Sequence, residues 1–228
     1  MSDSLLAALS LVVTVAFYYL SKQLYKRKAV IWLAPILVAP IAVIIFVLAI
    51  GIPLHDYFLY THFLVMMLGP ATIAFALPIY QQRQIILRYP LTLIIGVSAG
   101  LVLGLLSSLL LEHLFPMPPE LAQSMLVRSI STPFAMVATV SFGGIPDLTA
   151  MLVLMTGVVG MVLCEPVFKV AGIRTTLAKG VALGAASHGA GTAKAREIGS
   201  EEGVIASLTM IFAGIAMVLG APLFSLII

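Results

Sequence analysis

The stretch Ala185-Ala186-Ser187-His188-Gly189-Ala190-Gly191-Thr192-Ala193-Lys194-Ala195-Arg196 sets a histidine, two hydroxyls and two glycines side by side. It lies in a chain of 228 residues that is 61% hydrophobic and only 9% charged, with a mean hydropathy of +1.17. Soluble domains carry roughly 25% charged residues, so this chain cannot cover its surface with charge and must use lipid as solvent for most of its exterior. Continuous apolar runs exclude the alternating pattern of a membrane β-barrel. The expected fold is an all-α, polytopic membrane helix bundle, in which the polar stretch marks a helix that is broken.

Eight hydrophobic segments are expected, at 4–21, 30–51, 58–82, 90–111, 120–141, 147–168, 176–196 and 203–227. About 20 apolar residues span a bilayer as a helix, so six of these are comfortable spans. The other two, 120–141 and 176–196, carry polar groups mid-run and are expected to be broken helices or re-entrant hairpins. Proline and glycine mark the interruptions: Gly69-Pro70, read as an ordinary proline kink in preference to a first-half counterpart of the broken segment; Ser131-Thr132-Pro133; and Gly189 with Gly191. In lipid, the backbone groups freed at such breaks must face protein or a wet cavity. Gly143-Gly144-Ile145-Pro146 reads as a tight turn, Asp147 as the N-cap of the next helix, and Glu165-Pro166 with Lys169 as the end of segment six. Connections are short, and residues 1–228 read as a single transmembrane domain.

Charge sets the expected topology. Lys22, Lys26, Arg27 and Lys28 mark a cytoplasmic end, and the N-terminus reads as a first span rather than a removed signal. With the N-terminus outside, Arg83 and Arg88 fall inside and the 112–120 loop outside. If every segment then spans once, Lys169, Arg174 and Lys179 fall outside, against the positive-inside rule. The conflict disappears if segment five enters and leaves on one side, with Ser131-Thr132-Pro133 at its tip. Segments six to eight then run opposite to segments two to four, an inverted repeat of halves 1–115 and 116–228, as in many secondary transporters. The alternative is eight plain spans with a weak charge bias.

The polar groups point to an anion. Gly189 and Gly191 let the backbone unwind and approach a ligand, and the helix resuming at Thr192 offers free amides with partial positive charge. Ser187 and Thr192 can donate to a carboxylate, and His188 can donate or carry a proton. Intramembrane ionisable residues are costly to keep; against this, His188 could sit at an interfacial helix end, with the glycines serving close packing. Arg128, just before Ser131, Thr132 and Pro133, could enter a cavity and pair with a carboxylate or snorkel to headgroups. His55, Asp56 and His62 match no metal-site spacing and read as a solvated outer loop. No nucleophile–base pairing or phosphate loop is present; no enzyme activity, cofactor or metal is expected, and the net charge of +3 is too small and scattered for nucleic acid. Cys164 is the only cysteine, so no internal disulfide forms.

Residues 174–195, which include the opening stretch, resemble the signature of the LrgB/CidB family. So do Ser129-Ile130-Ser131-Thr132-Pro133-Phe134-Ala135-Met136, Gly143-Gly144-Ile145-Pro146 and Gly203-Val204-Ile205-Ala206-Ser207-Leu208. The likeness covers nearly the whole chain and is strongest from Pro118 onward; Arg128 departs from it, where a lysine is expected. The resemblance implies a multi-pass protein of the bacterial cytoplasmic (inner) membrane. It also implies either of two functions. One is a transporter or facilitator of small monocarboxylates of the glycolate, glycerate or pyruvate type, as in related plastid glycolate/glycerate translocators. The other is an antiholin-like regulator of a holin-type pore and of murein hydrolase activity. The expected partners are a small carboxylate substrate, the lipid bilayer, a small holin-like membrane protein and further copies of the chain as a homo-oligomer. The substrate site is expected at Ser187, His188, Gly189, Gly191 and Thr192, joined by Arg128, Ser131, Thr132 and Pro133.

Overall fold

The structure, a computed structural model, describes residues 3–28 and 30–226; Ile227, the last residue of the eighth expected segment, lies outside the described residues. Among the described residues five helices are long and apolar enough to cross a membrane: Ser4–Arg27, Leu54–Gln81, Pro90–Leu114, Pro146–Val170 and Ser200–Phe224. The sequence predicts six. Segment two falls short because its helix, α2, covers only Pro35–Ile50, 16 residues. Pro35 opens α2 within its first turn and Gly51, in the left-handed conformation, closes it, leaving about 24 Å of helix against a hydrocarbon core of about 30 Å.

The chain divides into two compact units, 1–71 and 72–228. In the first, α1 (Asp3–Arg27) packs on α3 (Leu54–Met66) and on α2. Phe17 meets Phe46 edge-on at 5.8 Å, and the hydroxyls of Thr14 and Tyr57 lie 3.2 Å apart. Ser10, Ser21 and Thr61 return their protons to carbonyls one turn back, the usual way a hydroxyl is satisfied in lipid. His55, Asp56 and His62 lie on α3 rather than in a loop, and Asp56 is buried. The Leu54–Gln81 span is interrupted at single residues: α3 ends at Met66 and the next helix, α4 (Leu68–Ala74), ends at Ala74. Pro70 and Pro78 each lie four residues after those ends, where the ring presses on the carbonyl and no N–H is offered. The kink expected at Gly69-Pro70 is thus expressed one turn earlier.

The second unit continues with α5 (Ala76–Gln81), α6 (Arg83–Arg88), α7 (Pro90–Leu114), α8 (Pro119–Met125) and α9 (Thr132–Ala138). A 3-10 turn, Thr139–Phe142, leads to α10 (Pro146–Val170), α11 (Thr176–Ile198) and α12 (Ser200–Phe224). Exposed residues such as Leu91, Ile95, Leu103, Val170 and Leu219 give it an apolar exterior. Its core gathers on the break between α8 and α9: Leu126, Val127, Ile130, Phe134 and Ala138 pack with Val153, Ala213 and Met217.

Segment five doubles back. Pro133 disfavours a helix through residue 129, and here α8 stops at Met125 and α9 restarts behind Ser131 in extended conformation, whereas Pro40, Pro166 and Pro222 lie inside helices. The far end of the excursion closes on its beginning: the Ile145 N–H donates to the Ser124 hydroxyl at 2.9 Å. The Thr149 hydroxyl lies 2.8 Å from that of Thr139 and 3.2 Å from the Ser124 carbonyl. Gly143 turns with φ +79. The expected N-cap role of Asp147 is corrected: Ile145 caps α10, because Pro146 takes its first position, and Asp147 lies within the first turn.

Segment seven also doubles back. α11 is broken at His188, whose backbone angles are φ 37 and ψ −113. A methyl group at Gly191 would collide with the Leu183 carbonyl, a group that a straight helix would leave about 12 Å away. Both arms lie on one stretch of α12. Gly184 meets Ala206 and Thr209 from the first arm; the Thr192 hydroxyl reaches the Met210 sulfur at 3.8 Å, and Arg196 Nη2 reaches Ser207 at 3.4 Å from the second. Lys194 pairs with Glu165 of α10 at 2.8 Å. Because segment seven returns to the end it left, α12 runs antiparallel to α10. Eight successive crossings, or re-entry of segment five alone, would have made them parallel.

Candidate functional site

The two excursions start from opposite ends of α10, and their tips meet near its middle. At the first tip, Arg128 Nη2 donates to the Ser107 hydroxyl at 2.9 Å and Nε to Ser108 at 3.2 Å, both on α7. Nη1 donates to Thr156 of α10 at 3.3 Å. Each of these hydroxyls passes its own proton to a backbone carbonyl: Ser107 to Gly104, Thr156 to Leu152, and Ser108 to Met125 or Gly104. The hydroxyls therefore act toward Arg128 as acceptors, and two of the five guanidinium donors remain for a ligand. Among the described residues no carboxylate pairs with Arg128.

Arg128 lines a cavity of about 790 Å³ between α7 and the first arm of α11. Its walls are mostly small, with Gly96, Ala99, Gly100 and Gly104 on one side and Ala178, Ala182, Ala185 and Ala186 on the other, and Ile95, Leu103 and Val181 as the larger apolar groups. Ser107, Ser129, Thr156 and Thr92 supply the remaining polar groups. The glycines let α7 approach closely. A methyl at Gly100 would stand 2.8 Å from Ala185 Cβ, and one at Gly104 2.7 Å from Ser129 Cβ. The chamber is thus apolar with one cationic corner.

At the second tip, His188 is buried, with 3% of its surface exposed. Its ring seats on Gly157 of α10, and the neighbouring Ser187 hydroxyl lies against Gly160. The residue that acts on the ring electrostatically is Arg128, through its backbone carbonyl and its guanidinium. Among the described residues His188 Nε2 has no hydrogen-bond partner.

Of the residues singled out in the sequence, Arg128 alone lines the cavity; it points into protein rather than snorkelling. Ser187 and His188 stand behind it on α10. Gly191 is packed inside the fold-back, Thr192 faces Met210, and Gly189 has open space around its Cα. Ser131 is buried as the N-cap of α9, with Thr132 and Pro133 in its first turn. Not foreseen were Ser107, Ser108 and Thr156, and the glycine series. The signal was legible: Gly96, Gly100 and Gly104 recur every fourth residue, and Gly157 and Gly160 share one face of α10. Among the described residues no cluster of three or more His, Cys, Asp or Glu could hold a metal ion.

Comparison with known proteins agrees with these two motif regions. The model of the LrgB-like family matches residues 14–227. The uncharacterized protein YwbG of Bacillus subtilis (strain 168) is 35% identical over 213 residues, covering 93% of this chain and 95% of that protein. The uncharacterized protein YxaC of the same organism is 33% identical over 210 residues, covering 92% of this chain and 91% of its own length. No solved structure matches the chain. With the match running through both excursions and the helices that hold them, this chain belongs to the LrgB-like family.

Proposed function

We propose that the protein is a transporter or facilitator of small monocarboxylates in the bacterial cytoplasmic membrane, and that Arg128 holds the substrate carboxylate. The observation that carries this reading is an arginine at a mid-helix tip, facing a cavity, supported by hydroxyls and lacking an acidic partner among the described residues. A guanidinium in a lipid-embedded site is costly without an anion, and its free donors suit a carboxylate. The small apolar walls suit a short carbon chain. His188, Ser187, Ser131 and Thr132, with the backbone at Gly189 to Thr192, form the junction of the two breaks behind the site.

Charge orients the molecule. Arg83, Arg88, Lys169, Arg174, Lys179, Lys194 and Arg196 gather at one end of the second unit, with Glu165, Glu197, Glu201 and Glu202 among them, and among the described residues no lysine or arginine lies at the other end beside Glu112, Glu120 and Asp147. The positive-inside rule makes the basic end cytoplasmic. The α8–α9 excursion then enters from outside and α11 from inside, the arrangement of broken helices meeting at mid-membrane. Re-entry of segment five already brings Lys169, Arg174 and Lys179 inside, and re-entry of segment seven adds Lys194 and Arg196 to the same side.

The test is uptake of labelled glycolate and pyruvate into proteoliposomes. Saturable uptake that Arg128→Ala abolishes, in protein that stays folded, supports the reading. Non-saturable leakage of dye that is indifferent to Arg128 would sink it, and would favour an antiholin-like role in a pore.

A further inference from the structure

We propose a second anion site, separate from the Arg128 cavity, that takes the phosphate headgroup of an anionic phospholipid. It lies where α10 turns into α11. A cavity of about 480 Å³ there is lined by Lys169, Arg174 and Lys179, over an apolar base of Phe168, Ile173 and Ile198. Glu165, also on its rim, is held by Lys194 at 2.8 Å and also feels the charge of Lys169, but among the described residues no carboxylate lies within ion-pair distance of the three cations. With Glu165 balanced by Lys194, the hollow keeps an excess of positive charge that an anion would offset. The chemistry, three donors of fixed positive charge on one concave surface, is that of a phosphate site.

The surroundings favour a lipid as its source. Ile198, which lines the cavity, is 37% exposed, and Val170, next to Lys169 in the chain, is 91% exposed, so apolar surface adjoins the cations. A headgroup seated among the cations would lay its acyl chains on that apolar surface. Basic hollows at the cytoplasmic ends of transmembrane helices bind anionic headgroups in this way.

The experiment uses the full chain in detergent, with native mass spectrometry and thermal unfolding in the presence of phosphatidylglycerol, phosphatidylcholine or inorganic phosphate. Expected are retained phosphatidylglycerol adducts and a raised melting temperature, with neither effect from phosphatidylcholine. Combining Lys169→Gln, Arg174→Gln and Lys179→Gln should weaken phosphatidylglycerol binding about a hundredfold. Arg174→Gln alone should weaken it in part and guards against misfolding of the triple variant. Equal binding of phosphatidylcholine, or undiminished phosphatidylglycerol binding in both variants, overturns the site. Stabilisation by inorganic phosphate equal to that by phosphatidylglycerol overturns its assignment to lipid. All these readouts are independent of transport through Arg128.

Discussion

Arg128 and His188 stand at the tips of two helical excursions that enter the second unit from opposite ends, and Arg128 is the residue whose charge and carbonyl act on the His188 ring.

Arg128→Lys separates charge from geometry. A lysine is a point charge on a flexible stem and cannot bridge Ser107, Ser108 and Thr156 together. Saturable uptake should persist with affinity weakened about tenfold to a hundredfold, the worth of lost charge-assisted hydrogen bonds of about 1.5–3 kcal/mol. Uptake in Arg128→Lys as poor as in Arg128→Ala would show that geometry, not charge, binds the substrate.

His188 is the one non-glycine residue with positive φ among the described residues. Holding such a backbone costs about 1–3 kcal/mol. His188→Gly and His188→Ala both lose the ring, but only the glycine relieves the backbone. The glycine variant should be the more stable of the two by about 1–2 kcal/mol, read as a higher melting temperature. An alanine variant as stable as the glycine one would mean the tip carries no strain.

Gly189 and Gly191 are neighbours in one motif with opposite surroundings. Gly189→Ala enters open space, while Gly191→Ala meets the Leu183 carbonyl. The first should leave stability within about 0.5 kcal/mol of the parent, and the second should cost about 1–3 kcal/mol. Equal tolerance of both would argue against the fold-back. Gly100→Val, which drives α7 against Ala185, should be destabilising by a similar amount and should also reduce uptake by narrowing the cavity.

The ends of each excursion should be accessible from one side only. In a Cys164→Ser background, Glu120→Cys and Ser141→Cys should react with a membrane-impermeant maleimide on intact cells. Arg174→Cys and Ile198→Cys should react only after the cytoplasmic face is opened. Labelling of Ile198→Cys from outside would mean that α11 crosses the membrane.

The sequence determined the solvent of this protein and the places where its helices fail. Sparse charge demands lipid, Pro133 disfavours a continuous helix through residue 129, and the glycines around His188 permit a break there; these are local or compositional facts, independent of what packs nearby. Local signals did not extend to the first position of α10, where Pro146 displaced Asp147 from the cap, or to α2, whose helix stops short of a span. Only the tertiary structure decided that both broken segments fold back, which turns α12 against α10 and brings the basic ends of the second unit together. It also decided which polar residues share a space. Arg128 meets Ser107, Ser108 and Thr156 because α7 and α10 flank the first tip, partners 20 to 28 residues away in sequence. Direction after a break is set by close approach between distant small residues, such as Gly191 on Leu183 and Gly157 under His188, and that approach exists only once the helices have packed.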